Sequence, residues 1–173
     1  YQMDYAAMVD YHVKNGGEIT IGTIPVEGKE ATGFGILKSN ENGDVTSFIE
    51  KPSADLLPDW TSEVPENLAR QGRNFLASMG IYVFSKGVLS RLLAENPGMD
   101  FGKEIIPEAI GKSKVLSYPF DSYWTDIGTI ASFFEANISL TDNIPLFNLF
   151  GEPVFTRPRM LPPSKVSGST LNN

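Results

Sequence analysis

The sequence predicts an α/β fold built on an open sheet of mixed, mostly parallel strands. One observation is that apolar, β-branched segments alternate with amphipathic helical segments over residues 1–142, which is typical of sheets with helices against their faces. A second observation is the composition. A chain of 173 residues that is 41% hydrophobic and 20% charged is expected to form a globular domain with a sizeable core.

The first predicted element is a helix. Asp4 is a suitable N-cap and Gly16 a suitable C-terminal stop. One helical face carries the only histidine of the chain together with four other residues: Tyr5, Met8, Val9, His12 and Val13. We interpret this histidine as structural. Because such helices usually follow a strand, we expect the chain to be a piece of a longer protein.

The middle of the chain predicts most of the sheet. A buried strand is expected at residues 18–26, and an Asn-Gly turn signal predicts a β-hairpin over 34–50. A polar, proline-containing loop with a helical turn follows at 53–73. The apolar segment 75–85 then predicts a long strand. The spacing of the apolar residues within the next segment predicts an amphipathic helix over 86–96.

The last third predicts further helices and a linker. "FGKEIIPEAIGK" indicates a short helical region broken at Pro107, and "KVLSYPF" indicates a strand. "DSYWTDIGTI", residues 121–130, has the spelling of a strand end, a tight turn and a helix start. Such strand ends commonly carry the chemistry of α/β proteins. A helix over 130–142 follows, and the proline-rich residues 143–173 are interpreted as a linker.

Composition excludes several classes of function. The net charge of −7 argues against a nucleic-acid partner. The absence of cysteine excludes disulfides, zinc–thiolate sites and thiol nucleophiles, and a single histidine argues against a catalytic triad or a multi-histidine metal site. No apolar run reaches membrane-spanning length, so we expect no membrane partner and a cytoplasmic location.

"FIEKP" supplies the first candidate pair, Glu50 and Lys51. Adjacent strand residues point to opposite faces unless a bulge intervenes. One interpretation is a solvated strand end, because Glu and Lys are mostly exposed. The other is that Glu50 accepts hydrogen bonds from sugar hydroxyls while Lys51 binds a phosphate as a point charge.

Three further motifs each allow a structural and a functional interpretation. Ser78 and Tyr82 are four residues apart in an apolar strand and therefore share a face. They are either a core hydroxyl and a packed ring, or residues that line a pocket. Asp100 in "DFGKE" is a possible helix N-cap, with Lys103 exposed. "GFG" at 33–35 lacks the spacing of a dinucleotide-binding or P-loop motif. It indicates a close backbone approach instead, either to another strand or to a ligand.

Asp126 is the strongest single candidate. A carboxylate at this place is a suitable hard ligand for Mg²⁺, which typically binds one or two carboxylates together with substrate phosphates. The alternative is that Asp126 caps the helix that starts near Gly128 and Thr129.

Six segments then occur in a definite order: "TGFGIL", "FIEKP", "SMGIYVF", "DFGKEIIPEAI", "YWTDIGTIASFFEANISLTD" and "TRPRMLPPSKV". In this combination the chain resembles the sugar-nucleotide pyrophosphorylases of the sugar nucleotidyltransferase family, from Tyr1 to about Lys165. The forms "DFGKEIIP" and "YWTDIGT" are similar to the branch that makes ADP-glucose, the bacterial glucose-1-phosphate adenylyltransferases. The resemblance implies the C-terminal part of a Rossmann-like (GT-A-like) nucleotidyltransferase domain. Residues 1–142 would be its sugar-phosphate-binding portion and 143–173 a linker toward a left-handed β-helix.

The resemblance also implies a reaction and a site. Members of this branch join ATP and α-D-glucose 1-phosphate, with Mg²⁺, to give ADP-glucose and pyrophosphate for glycogen biosynthesis, as allosteric homotetramers. By motif, Gly35 would approach the sugar phosphate through its backbone, Glu50 would bind glucose hydroxyls, and Lys51 would bind the phosphate. Asp126 would bind Mg²⁺, so Lys51 and Asp126 are the expected catalytic residues. The remaining expected pocket residues are Ser78, Tyr82, Asp100, Phe101 and Trp124.

The sequence also departs from the family pattern. The family's glycine-rich loop, with its arginine and following lysine, and its second Mg²⁺-binding aspartate have no counterpart here, so we expect the 173-residue chain alone to be inactive. Three alternatives remain: a non-catalytic, regulatory sugar-phosphate-binding subunit, another sugar-1-phosphate nucleotidyltransferase, and a metal-dependent glycosyltransferase.

Overall fold

The computed structural model describes residues 1–98, 100–146 and 167–168. The chain divides into two compact units, Gln2–Ser122 and a second one of Tyr1 with Tyr123–Asn173. The expected linker 143–173 and the segment "TRPRMLPPSKV" lie almost entirely outside the described residues.

The first unit contains all five strands that the structure describes. Its helices are α1 (Tyr5–Lys14), α2 (Gly28–Ala31), α3 (Glu66–Ala69), α4 (Lys86–Glu95) and α5 (Ile106–Ala109), with a 3₁₀ turn (Leu57–Trp60) and a π-helical turn (Phe101–Ile105). Its strands are β1 (Ile19–Val26), β2 (Gly35–Ser39), β3 (Val45–Glu50), β4 (Phe75–Phe84) and β5 (Val115–Pro119). These bounds confirm the predicted strands and the hairpin to within a residue or two.

The strands form one mixed sheet in the order β3-β2-β4-β1-β5. The α/β class and the mixed sheet are therefore confirmed. The expectation of mostly parallel strands is wrong, because among the described strands only the β1–β5 pair is parallel and the other three pairs are antiparallel. The tight turn after β2 imposes the antiparallel β2–β3 pair, because a parallel pair would need a long crossover.

The two faces of the sheet are covered by different helices. The core lies on one face, where α4, α5 and the π-helical turn cover the strands. Its buried members include Ile19, Ile21, Leu37, Leu76, Val88, Leu92, Ile105, Ile106 and Val115. On the other face, Thr20 contacts α1 through a 2.7 Å hydrogen bond between its hydroxyl and His12 Nδ1.

Helix α1 begins and ends where the sequence predicts. The Asp4 side chain accepts a hydrogen bond from the Ala7 backbone at 3.1 Å, and Gly16 has a positive φ of 62° just beyond the helix. The predicted apolar face of this helix is covered only in part. Met8 and His12 are buried in the first unit. The other apolar positions of that face are exposed: Tyr5, Val9 and Val13.

Strand β4 contains an irregularity that orients two candidate side chains. Ser78 pairs with Thr23 and Tyr82 with Ile21, so the residues between them on β4 bulge opposite Gly22. Gly80 accommodates this bulge with a φ of 71°. Because both partners lie on one face of β1, Ser78 and Tyr82 share a face, as predicted, and their hydroxyl oxygens are 3.4 Å apart.

The second unit is described by helix α6 (Ile130–Ser139) and the segments around it. Thr129 caps this helix, since its hydroxyl accepts a hydrogen bond from the Ser132 backbone at 3.1 Å. The predicted strand end within 121–130 is wrong, because residues 120–128 form no strand. In the described part of the chain, no helix is both long and apolar enough to cross a bilayer.

Candidate functional site

The end of β3 brings Glu50 and Lys51 together. Lys51 has a φ of 47°, the only positive φ of a non-glycine residue among those described. Its backbone N–H donates to the Phe34 carbonyl at 3.0 Å. This backbone conformation brings the two side chains to the same side of the strand, as a bulge would. Lys51 Nζ lies 3.9 Å from Glu50 Oε1. A cation and a carboxylate therefore stand side by side at the strand end.

The Glu50 carboxylate lies against two glycines. A Cβ on Gly35 would come within 2.8 Å of Glu50 Oε2, and a Cβ on Gly102 within 2.7 Å of the same atom. A Cβ on Gly35 would also collide with Cζ of the Phe48 ring. The close approach expected at "GFG" is thus made by side chains of β3, which explains why glycine stands at position 35.

Asp100 begins the π-helical turn. Its side chain accepts a hydrogen bond from the Lys103 backbone at 2.9 Å, and its own backbone N–H donates to Glu104 Oε2 at 3.0 Å. The expected cap is therefore confirmed, and Lys103 is exposed as predicted. Capping leaves carboxylate acceptor capacity on Asp100, because a carboxylate has about four lone-pair sites.

An aromatic cluster borders these carboxylates. The Tyr82 and Phe101 rings are stacked, with centroids 6.0 Å apart and an interplanar angle of 21°. Phe84 contacts the same Phe101 ring at 5.7 Å between centroids. Phe84 was not predicted as a site residue, although its position two residues after Tyr82 on β4 places it on the same face.

The electrostatics agree with this grouping. Burial raises the pKa of the Tyr82 phenol, and the negative charges of Glu50 and Asp100 raise it further, while the Ser78 hydroxyl acts in the opposite direction. The phenol therefore stays protonated and can donate a hydrogen bond. Ser78 Oγ lies 3.4 Å from the Tyr82 oxygen. The Cβ position of Gly102 lies within 3.5 Å of both the Glu50 and the Asp100 carboxylates.

Trp124 and Asp126 belong to the second unit. Trp124 is half-buried, and Asp126 is exposed, with its Oδ2 accepting a hydrogen bond from the Gly128 backbone at 3.1 Å. The alternative that Asp126 caps the following helix is wrong, because Thr129 occupies that position. Its role as a metal ligand stays a prediction.

The donor set around Asp126 can be compared with what Mg²⁺ needs. An exposed carboxylate is a hard oxygen ligand, and Mg²⁺ commonly takes one or two of these plus phosphate oxygens. No group of three or more acidic or histidine side chains that could hold a metal ion occurs among the described residues. The chemistry of the Asp126 carboxylate thus suits a single Mg²⁺ ligand.

Comparison with known protein families decides the broader class. Residues 1–143 match the family described as nucleotidyl transferase. The chain belongs to that family. A nucleotidyl transferase needs no covalent nucleophile on the protein if the acceptor phosphate attacks directly, which is consistent with a chain that has no cysteine and one buried histidine.

Besides Phe84, sequence reasoning missed two features of this candidate site. One is Gly102, whose only signal was a glycine inside a helical motif. The other is the positive φ of Lys51, for which the sequence offers no signal, because the residue before a proline normally adopts an extended conformation.

Proposed function

We propose that this nucleotidyl transferase joins ATP and α-D-glucose 1-phosphate to give ADP-glucose and pyrophosphate, the glucose-1-phosphate adenylyltransferase reaction of glycogen biosynthesis. One observation carries the proposal: Lys51 lies beside Glu50, and Glu50, Asp100 and the Ser78–Tyr82 hydroxyl pair meet in one unit. A lysine for a phosphate next to carboxylate and hydroxyl acceptors suits a sugar phosphate. The family resemblance supplies the choice of glucose and ATP.

The residues have distinct tasks in this proposal. Lys51 holds the phosphate of glucose 1-phosphate, and Glu50 and Asp100 accept hydrogen bonds from the sugar hydroxyls. Tyr82 donates through its protonated phenol, and the stacked Phe101 ring closes the pocket. Gly35 keeps the backbone near the phosphate. Trp124 and Asp126 retain the roles that the resemblance implies, lining the sugar pocket and binding Mg²⁺.

The chemistry is one of alignment and charge neutralisation. A phosphate oxygen of glucose 1-phosphate attacks the α-phosphorus of ATP in line, and pyrophosphate leaves. Lys51 fixes the attacking phosphate and offsets part of its negative charge. Mg²⁺, held in part by Asp126, would neutralise the phosphate charge that develops in the transition state. A cytoplasmic, allosterically regulated homotetramer is the context we propose.

The test is pyrophosphate release by the full-length protein. We expect activity with ATP and glucose 1-phosphate above that with other nucleoside triphosphates or sugar 1-phosphates. Activity with a different pair would make the protein another sugar-1-phosphate nucleotidyltransferase. Glucose transfer to an acceptor would indicate a glycosyltransferase. Binding of glucose 1-phosphate without any turnover would indicate a regulatory subunit.

A variant pair tests the role of Lys51. Lys51→Ala should lower the affinity for glucose 1-phosphate by roughly tenfold to a hundredfold, since a charge-assisted contact is lost. The Michaelis constant for ATP should change little. Lys29→Ala is the matched control, because Lys29 is also an exposed lysine beside a glutamate, with its Nζ 3.0 Å from Glu27. Equal weakening of both substrates would contradict the assignment.

A further inference from the structure

The π-helical turn presents a glycine to the Glu50 carboxylate. A Cβ at Gly102 would lie 2.7 Å from Glu50 Oε2 and 3.1 Å from its Cδ, and 3.5 Å from Asp100 Oδ1. Real Cβ atoms do not approach other atoms as closely as the first of these distances. The two carboxylates of the candidate sugar pocket thus lie around the position where any other residue would place its side chain.

Backbone conformation does not explain this glycine. Gly102 is absent from the described glycines with positive φ, so an L-residue could adopt its backbone. Glycine is also the least favourable non-proline residue inside a helix. The space taken by the neighbouring carboxylate is the feature that distinguishes position 102.

The consequence of filling that space depends on what would move. At Gly35 the nearest atom is Cζ of the packed Phe48 ring, so a side chain there would disrupt the packing of β2 on β3. At Gly102 the nearest atoms belong to the end of the Glu50 side chain, which can rotate away. A methyl group at position 102 would therefore displace the Glu50 carboxylate and leave the fold in place.

We propose that Gly102 is a positioning residue for sugar-phosphate binding: its missing side chain determines where the Glu50 carboxylate stands in the pocket. This inference rests on the proposed function, because it assigns a purpose to Glu50 as a ligand of the sugar. Gly102 itself acts through Glu50 and needs no contact with the sugar phosphate.

The first experiment compares Gly102→Ala with Gly87→Ala in the full-length protein. Gly87 lies in helix α4 with nothing within 4 Å of its Cβ position, so it controls for an added methyl group in a helix. For Gly102→Ala we expect affinity for glucose 1-phosphate to fall about tenfold, the size of a lost hydrogen bond to a charged group. The Michaelis constant for ATP and the melting temperature should stay close to those of the control. If the two variants bind glucose 1-phosphate equally, the inference is overturned.

The second experiment is a double-mutant cycle with Glu50→Asp. Shortening Glu50 withdraws its carboxylate, so this change should cost much affinity in the wild-type background. It should cost clearly less in the Gly102→Ala background, where the carboxylate is already displaced. In the Gly87→Ala background its full cost should remain. Additive effects of Glu50→Asp and Gly102→Ala would overturn the inference.

Calorimetric binding of glucose 1-phosphate without ATP separates this inference from the proposed function. A protein that binds the sugar phosphate but releases no pyrophosphate fails the proposed function, while the cycle still tests Gly102. If a different sugar 1-phosphate binds, the cycle is run with that compound. A wild-type protein that binds no sugar 1-phosphate would overturn both.

Discussion

At the scale of single residues, Lys51 combines a charge with an unfavourable backbone conformation. Its φ of 47° lies in a region that L-residues adopt at a cost of roughly 1–2 kcal/mol. The fold retains this conformation at the point where the lysine approaches Glu50. Strained residues of this kind cluster at functional sites, where the surrounding structure holds them.

The strain at Lys51 can be measured. Lys51→Gly should be more stable than Lys51→Ala by roughly 0.5–1 kcal/mol, because glycine adopts a positive φ without steric cost. At Lys38, inside β2 and without a positive φ, the order should be reversed, with Gly less stable than Ala. Urea denaturation of the four variants gives the free energies of unfolding. A Lys51→Gly variant less stable than Lys51→Ala would show that the backbone there is not strained.

Asp126 offers a second test at this scale. Asp126→Asn keeps an oxygen that can accept the Gly128 N–H but removes the charge. We expect turnover to fall by about tenfold or more at saturating substrates, because charge neutralisation matters most in the transition state. Asp121→Asn makes the same change at another exposed aspartate and should have no such effect. Normal turnover of Asp126→Asn at saturating Mg²⁺ would exclude it as a metal ligand.

At the scale of elements, the bulge of β4 gives a prediction about geometry. Gly80→Ala should lose roughly 1 kcal/mol of stability, because its φ of 71° disfavours a side chain. It should also lower the affinity for glucose 1-phosphate, because the bulge positions the Ser78 and Tyr82 hydroxyls. Gly72→Ala is the control: its φ is 76° and its Cβ position is open, but it lies outside β4. If the two variants have equal affinities for glucose 1-phosphate, the bulge has no role in binding it.

Helix α1 is held to the rest of its unit through His12. His12 Nδ1 contacts the Thr20 hydroxyl at 2.7 Å, and Nε2 contacts the Ser85 hydroxyl at 3.1 Å, where α4 begins. Burial lowers the pKa of His12 below its ordinary value. The folded protein therefore keeps this imidazole neutral at pH values where the unfolded chain already binds a proton.

The lowered pKa of His12 should make the free energy of unfolding fall as the pH is lowered. Because the folded pKa is the lower one, stability contributed by neutral His12 is complete above about pH 6.5 and is lost as the pH falls toward the folded pKa. The slope cannot exceed about 1.4 kcal/mol per pH unit for one proton. His12→Gln should flatten this dependence between roughly pH 7.5 and pH 5.5 in urea denaturation. An unchanged slope would show that other groups cause it.

Local patterns predicted the elements well, and contacts between distant residues explain what they missed. The Asn-Gly turn predicted the β2–β3 hairpin, and Asp4 predicted the start of α1, because both depend on neighbours in sequence. The antiparallel β1–β4 pair joins segments far apart in the chain, so local pattern could not supply it.

The candidate site divides in the same way. The chemistry of Glu50, Lys51 and Asp100 was visible in their residue types and motifs. The approach of Gly102 to the Glu50 carboxylate was not visible, because it joins the end of one strand to a helical turn about fifty residues later.

At the scale of the whole molecule, the charged side chains of this chain suit a sugar phosphate better than a nucleoside triphosphate. The sequence offers Lys51 and several carboxylates for a sugar phosphate, but no glycine-rich loop ahead of a helix to hold a triphosphate. We therefore expect residues 1–173, expressed alone, to release no pyrophosphate from ATP and glucose 1-phosphate. The full-length protein serves as the positive control. Release above a no-enzyme blank would contradict this expectation.

The position of β1 in the sheet has a consequence for how the protein folds. This strand lies between β4 and β5, and the contact from Glu18 to the start of β5 spans 96 residues. During synthesis β1 therefore emerges long before either partner, whereas β2 and β3 can form their hairpin at once. Non-local strand pairing of this kind slows folding, because loop closure precedes the contacts that stabilise it. The nascent chain must keep the apolar side chains of β1 from associating elsewhere until β4 and then β5 have left the ribosome.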